Sequence, residues 1–151
     1  MRIKELIEIL KEQKYNLGSL LKIVKEKQNI LVNNKLEKLK DYLSLEENKI
    51  LEIQITEEKR LRLMQKIFTE FQIKNERFKL EILVEELNGK VPNNDLTDIK
   101  EKEIEIKNTI KEITKTNQQN LLLVKQSSQI ISETVKAVID TSKRSIIDRK
   151  G

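Results

Sequence analysis

The sequence predicts an all-α protein: an elongated antiparallel bundle, or coiled coil, of three long helices, with a short helix and a loop before the last one. Charged residues make up 36% of the chain and aromatic residues 3%. Only three Gly and one Pro occur in 151 residues. This composition is typical of long helices. Apolar residues also recur at alternating spacings of three and four, as on a coiled-coil seam.

The first helix is predicted from about Arg2 to Val32. Gly18 lies inside it and should cost about 1 kcal/mol relative to Ala. Asn33 and Asn34 are poor helix formers, so they predict a tight turn, with Asn34 capping the next helix. A short connection makes the two helices antiparallel. The seam of the first helix consists of Ile3, Ile7, Leu10, Leu17, Leu21, Val24 and Leu31.

The second helix is predicted to begin near Lys35. Its seam changes phase after Ile53, which indicates a stutter that locally unwinds the supercoil. Glu46 and Glu57 occupy seam positions, and we interpret them as charges that snorkel from a loosely packed stretch. The apolar seam residues are Leu36, Leu39, Leu43, Ile50 and Ile53, followed by Leu61, Met64, Phe68 and Phe71.

A short helix is predicted from Glu76 to Leu87, either separate or as a continuation of the second helix. Phe78, Ile82 and Leu83 would face inward. Gly89, with Pro92 three residues later, predicts a stop.

The residues from Val91 to Asp95 are predicted to form a loop. Asp95 and Asp98 suit the positive end of the following helix.

The last helix is predicted from Leu96 to Asp140. Over residues 117–139 its apolar arc spans roughly 200°, against the ~100° that an ordinary surface helix buries. So wide an arc needs more than one partner. The residues 1–140 are expected to form a single helical-bundle domain, and 141–151 a frayed basic tail. One stripe of the arc consists of Val124, Ile131, Val135, Val138 and Ile139, and a second of Leu123, Ile130 and Ala137.

Several function classes are disfavoured by composition. The chain has no His and no Cys, which removes common general bases and metal ligands, and we expect no enzyme, no metal and no cofactor. The net charge of +5 is spread among acidic neighbours, so no nucleic-acid surface is expected. The longest apolar run is four residues, which predicts no membrane span and a cytoplasmic location.

Three stretches resemble the FlgN family of flagellar type III export chaperones: the run from Gln28 to Leu39, the Glu57–Arg60 stretch, and the run from Asn117 to Leu123. The resemblance covers residues 1 to about 140. It implies a cytoplasmic chaperone that holds the terminal helix of unassembled hook-filament junction (hook-associated) proteins. It also implies delivery of these clients to the export gate and its ATPase complex. Client capture falls to the C-terminal helix, here Asn120 to Ile139.

Leu123, Ile130 and Ala137 would line the client groove, and the other apolar residues would hold the bundle or share the contact. Three alternatives stay open. The second stripe belongs to the bundle core or to a weak homodimer, or the chain is a structural coiled-coil rod or stalk of a secretion machine. The third, suggested by the basic pI, is a helix that binds nucleic acid or a membrane surface. The predicted partner-binding residues are Asn120, Leu121, Leu123, Val124, Ser127, Ile130, Ile131, Thr134, Val135, Ala137 and Val138.

Overall fold

The computed structural model describes the backbone of residues 2–150 and the side chains of residues 2–126. The helices are α1 (Arg2–Val32), α2 (Leu39–Glu70), α3 (Leu80–Leu87) and α4 (Asn93–Lys150), and a 3₁₀ turn (Leu36–Lys38) precedes α2. No strand occurs over residues 2–150. The predicted all-α class is therefore confirmed.

Helix α1 packs against both other long helices. It runs antiparallel to α2, because Arg2 pairs with Glu70 at 3.1 Å while Lys27 pairs with Glu46 at 2.5 Å. The tight turn after Val32 imposes this direction.

Helix α4 runs parallel to α1. Lys14 pairs with Glu105 at 2.7 Å, and further along both helices the amide of Gln28 donates to Gln119 at 2.8 Å. The order of the long helices is thus up, down, up, with α1 as the shared neighbour of α2 and α4.

The larger core lies at the end of the bundle that contains α3. There α3 buries Leu83, Val84 and Leu87 against the three long helices. The remaining buried members of this core are Ile3, Leu6, Ile7, Leu10, Leu63, Met64, Ile67, Phe68, Leu96 and Ile99.

The other half of the bundle has a smaller and more polar interior. Its buried apolar cluster consists of Leu17, Leu20, Val24 and Ile113. The buried polar side chains are Gln13, Asn16, Thr56, Thr116 and Asn120. Since polar groups lose solvation on burial, this half of the bundle gains less from packing than the half that contains α3.

The turn after α1 differs from the prediction. Asn34 has a φ of 54°, and the Lys35 N–H donates to the Ile30 carbonyl at 3.0 Å. This is a Schellman motif, in which a left-handed residue closes the end of a helix. Asn34 therefore ends α1 rather than capping α2. Asn suits the position because it tolerates the left-handed conformation.

Helix α2 also ends in a Schellman motif, and its left-handed residue is Gln72 rather than a glycine. Gln72 has a φ of 56°, and the Ile73 N–H donates to the Phe68 carbonyl at 2.8 Å. The short helix is separate and begins at Leu80, not at Glu76. Phe78 lies outside it but still packs inward, with its ring edge-on to Phe68 at a centroid distance of 5.2 Å.

The predicted stop at Gly89 is confirmed. Asn88 (φ −59°, ψ 123°) and Gly89 (φ 80°) form a type II turn, closed by a 2.9 Å bond from the Lys90 N–H to the Leu87 carbonyl. The predicted loop from Val91 to Asp95 is wrong in its second half. Helix α4 begins at Asn93, because the Pro92 carbonyl already accepts from the next turn.

Helix α4 also ends later than predicted, at Lys150 rather than Asp140. No Gly or Pro occurs between Asp140 and Lys150 to stop it. The backbone of residues 141–150 is therefore helical where a frayed tail is predicted. The division of the chain into a domain of 1–140 and a tail stays a prediction.

Candidate functional site

The predicted client segment begins where α4 is still anchored to α1. Asn120 is buried, and its Nδ2 donates to the Val24 carbonyl at 3.1 Å. Its Oδ1 has no hydrogen-bond partner among the described residues. Asn120 thus holds α4 in register on α1 at the entrance to the segment.

Immediately after Asn120 the apolar side chains are exposed. Leu121 is 55% exposed and Val124 is 42% exposed, whereas Leu123 is half-buried. Leu121 and Val124 lie on the same face as Ile110, which is 45% exposed, because spacings of three, eleven and fourteen residues return to one side of a helix. Ile110 therefore places a further exposed apolar residue on this face about three turns before Leu121, with the polar Thr114 and Asn117 between them.

Leu122 is also exposed, at 59%, but it points to another side of α4. A substitution of Leu122 is therefore a matched control for substitutions of Leu121 and Val124.

The rest of the predicted segment lies outside the described side chains. The α4 backbone is helical through all of it. The role of these positions stays a prediction, and they are Ser127, Ile130, Ile131, Thr134, Val135, Ala137 and Val138.

A second apolar surface lies between α2 and α4, and the sequence analysis did not identify it. We call it the α2–α4 groove. It encloses about 570 Å³, its floor is formed by Gln13 and Leu17 of α1, and the N-terminal end of α3 closes it on one side. The wall residues are Ile53, Glu57 and Arg60 on α2, and Glu103, Ile106, Lys107 and Ile110 on α4.

The α2 wall continues away from α3 as an exposed apolar stripe. Leu43 and Ile50 precede Glu57 at intervals of seven residues, so they share its face of α2. Leu36, seven residues before Leu43, lies in the 3₁₀ turn that precedes α2. All three are exposed, Leu43 at 42% and Ile50 at 37%. The sequence analysis assigned them to the buried seam, and in the structure they are not buried. The seam spacing itself was the available signal, but it does not indicate whether a partner helix is present.

The two acidic seam residues are paired across helices rather than snorkelling. Glu46 accepts a 2.5 Å bond from Lys27 in α1, and both side chains are largely buried. Glu57 accepts from the Gln13 amide at 2.6 Å and from Arg60 at 2.5 and 2.8 Å. The hydrogen bond from Arg60 lowers the pKa of Glu57.

One cross-helix ion pair borders the groove. Lys107 of α4 donates to Glu81 of α3 at 2.9 Å and to Glu103 at 2.7 Å. The hydrogen bond from Lys107 lowers the pKa of Glu81, and the carboxylates of Glu103 and Glu81 raise the pKa of Lys107. Both groups are exposed, so the pair fixes the direction of α3 more than it adds stability.

The groove has apolar walls and a charged rim that includes Glu81, Glu103 and Lys107. Among the residues that the structure describes, no cluster of three or more acidic side chains could hold a metal ion. The arrangement suits the binding of an apolar helix.

Comparison with known proteins decides the family. The family model described as FlgN protein matches residues 1–147. The chain belongs to the FlgN family. No curated protein and no solved structure matches it.

FlgN proteins are flagellar export chaperones and not an enzyme family. The resemblance drawn from the Gln28–Leu39 and Asn117–Leu123 stretches is therefore confirmed, and the family implies that a FlgN chain binds client proteins. Within the described part of this FlgN chain, no helix is both long enough and apolar enough to cross a membrane.

Proposed function

We propose that this FlgN-family chain binds the terminal amphipathic helix of unassembled hook-filament junction proteins in the cytoplasm and delivers them to the export gate and its ATPase complex. Family membership supports the chaperone role. The observation that supports a helical client is the exposed apolar face formed by Ile110, Leu121 and Val124. A solvent-exposed apolar face on a helix suits an amphipathic helix with anchors at i, i+3, i+4 and i+7.

The position of this face on α4 favours capture after Asn120. Asn120 and Gln119 are tied to α1, so α4 is anchored on α1 immediately before Leu121 and Val124. Beyond them α4 remains helical to Lys150. An anchored base followed by a continuous helical backbone is preorganised, which lowers the entropy lost on client binding.

The direct test is co-expression with C-terminal fragments of hook-filament junction proteins. Wild-type chain is expected to co-purify with a fragment, and the double variant Leu121→Lys, Val124→Lys is expected to lose it. Lys keeps helix propensity close to that of Leu, so the change acts on the surface. The matched control is Leu122→Lys, which changes an equally exposed leucine on another side of α4 and should retain the client.

Two results would contradict the proposal: no fragment co-purifies with well-folded wild-type chain, or Leu122→Lys loses the fragment as fully as the double variant. A structural rod predicts a different behaviour. Light scattering over a dilution series would then show an oligomer that persists at low concentration, whereas the chaperone is expected to associate weakly with itself.

A further inference from the structure

Helix α3 occupies only one end of the α2–α4 groove. Its residues Leu80, Leu83, Val84 and Leu87 follow the i, i+3, i+4, i+7 pattern of a docked amphipathic helix, and the last three are buried. Over its length of about 12 Å, α3 acts as the fourth helix of a bundle. Its partners in the shared core include Met64 and Phe68 of α2, and Leu96 and Ile99 of α4.

Beyond the N-terminal end of α3 the walls continue without it. Lys27 of α1 contacts Glu46 of α2, and the neighbouring Val24 contacts Asn120 of α4, so Glu46 and Asn120 lie at one level of the bundle. Leu43 and Leu121, one turn or less from these two residues, are therefore near one level on opposite walls. Past the described cavity each wall runs on for roughly 21 Å, on α2 from Ile53 back to Leu39 and on α4 from Ile110 to Val124.

We propose that the client helix docks in this open part of the α2–α4 groove, in line with α3, as the fourth helix of the bundle. The inference rests on the proposed function and specifies where the client lies. It assigns client contact to Leu43 and Ile50 of α2 in addition to α4. A helical occupant of about 14 residues would fill the open length.

The contacts that α3 makes in the groove indicate which side chains a helix docked in the open part would carry. It enters the groove with an apolar stripe and with Glu81 directed at Lys107 of α4. Lys111 follows Lys107 by one helical turn and is exposed. The occupant is therefore an amphipathic helix with acidic side chains beside its apolar stripe, on the side that faces α4.

The docking also accounts for the exposed stripe on α2. Leu43 and Ile50 keep seam spacing with Glu57 but have no helix over them in the described residues. A fourth helix in line with α3 would cover these two residues together with Ile110 and Leu121. The outward residues of α2, such as Ile55, would stay exposed.

The test uses the absence of cysteine from the chain. Ile50→Cys and Ile55→Cys each introduce the only thiol, on the same helix and about 140° apart around its axis. Thiol alkylation is followed with and without the junction-protein fragment that binds wild-type chain. At about 90% occupancy, the fragment is expected to slow alkylation at position 50 about tenfold and to leave position 55 within about twofold.

Each outcome decides the inference. In one outcome the fragment needs Leu121 and Val124 for binding, yet the thiol at position 50 is alkylated equally fast with and without it. That result would overturn the groove docking and leave the chaperone function standing. Protection at position 50 that grows with protein concentration and needs no fragment would assign the groove to a second copy and would also overturn it. Failure of wild-type chain to bind any fragment would remove the proposed function and this inference together.

A second pair of variants tests the same contact without introducing a thiol. Ile50→Lys is expected to weaken fragment binding about tenfold or more, as for an apolar residue at the centre of an interface, while Ile55→Lys leaves it unchanged. Both variants change exposed side chains, so their melting temperatures should match that of wild-type chain.

Discussion

Replacing Gln72 with Gly is expected to stabilise the fold. Gln72 closes α2 with a φ of 56°, in the left-handed region. Its side chain is exposed, and its described hydrogen bond runs from the backbone N–H to the Thr69 carbonyl at 3.2 Å. The substitution thus removes conformational strain without removing a described side-chain contact.

The magnitude follows from two opposing terms. The left-handed conformation costs a residue with a Cβ about 1–2 kcal/mol. Glycine loses about 0.5–1 kcal/mol more backbone entropy on folding. Taken at the middle of each range, the net gain is about 0.75 kcal/mol, or a melting temperature higher by about 1.5–3 °C for a chain of this size. Gly89, with a φ of 80° and open space where a Cβ would lie, is the converse case, and Gly89→Ala should destabilise.

Urea unfolding followed by circular dichroism measures these differences. Gln72→Ala is the matched control, since alanine shortens the same side chain but keeps the Cβ, and it should give no gain. If Gln72→Gly proves less stable than wild-type chain, or if Gln72→Ala stabilises equally, the left-handed cap is not the source of strain and the reasoning is refuted.

Two further changes are predicted from the same structure. Gly18→Ala, inside α1 with nothing within 4 Å of the added Cβ, should raise the unfolding free energy by about 1 kcal/mol in the same assay. Arg60 lowers the pKa of Glu57 below its ordinary value of 4.5, so the stability from this pair is present above about pH 4.5 and is lost as the pH falls through the lowered pKa. Urea midpoints between pH 7 and 3 should therefore show that Glu57→Gln loses stability at neutral pH and approaches wild-type chain in acid, while the exposed control Glu58→Gln changes little.

The sequence predicted the elements that local signals define. The bounds of α1 and the stop at Gly89 follow from apolar periodicity and from glycine chemistry, and both are confirmed. The end of α2 was left open because its left-handed cap is Gln72, and Gln is not a residue type that usually closes a helix. The start of α4 was placed too late because the helix begins at Asn93, directly after Pro92, whose carbonyl accepts hydrogen bonds from Asp95 and Leu96.

The groove could not be predicted because it depends on distances between helices that are remote in sequence. Leu43 and Ile50 have the spacing of buried seam residues, and only the short length of α3 leaves them exposed. Likewise Lys27, the partner of Glu46, and Gln13, one of the two partners of Glu57, lie in α1. Their pairing follows from the level at which α2 packs on α1. Periodicity identifies a face of a helix, whereas tertiary packing decides what covers that face.

The most direct test of the account is calorimetric titration of the full chain with the terminal helix of a junction protein at several temperatures. Binding through the apolar faces of α2 and α4 predicts a saturable one-to-one complex with a negative change in heat capacity, the signature of apolar burial. A heat-capacity change near zero with an affinity that falls steeply with salt would contradict the account, because charge rather than apolar surface would then hold the client.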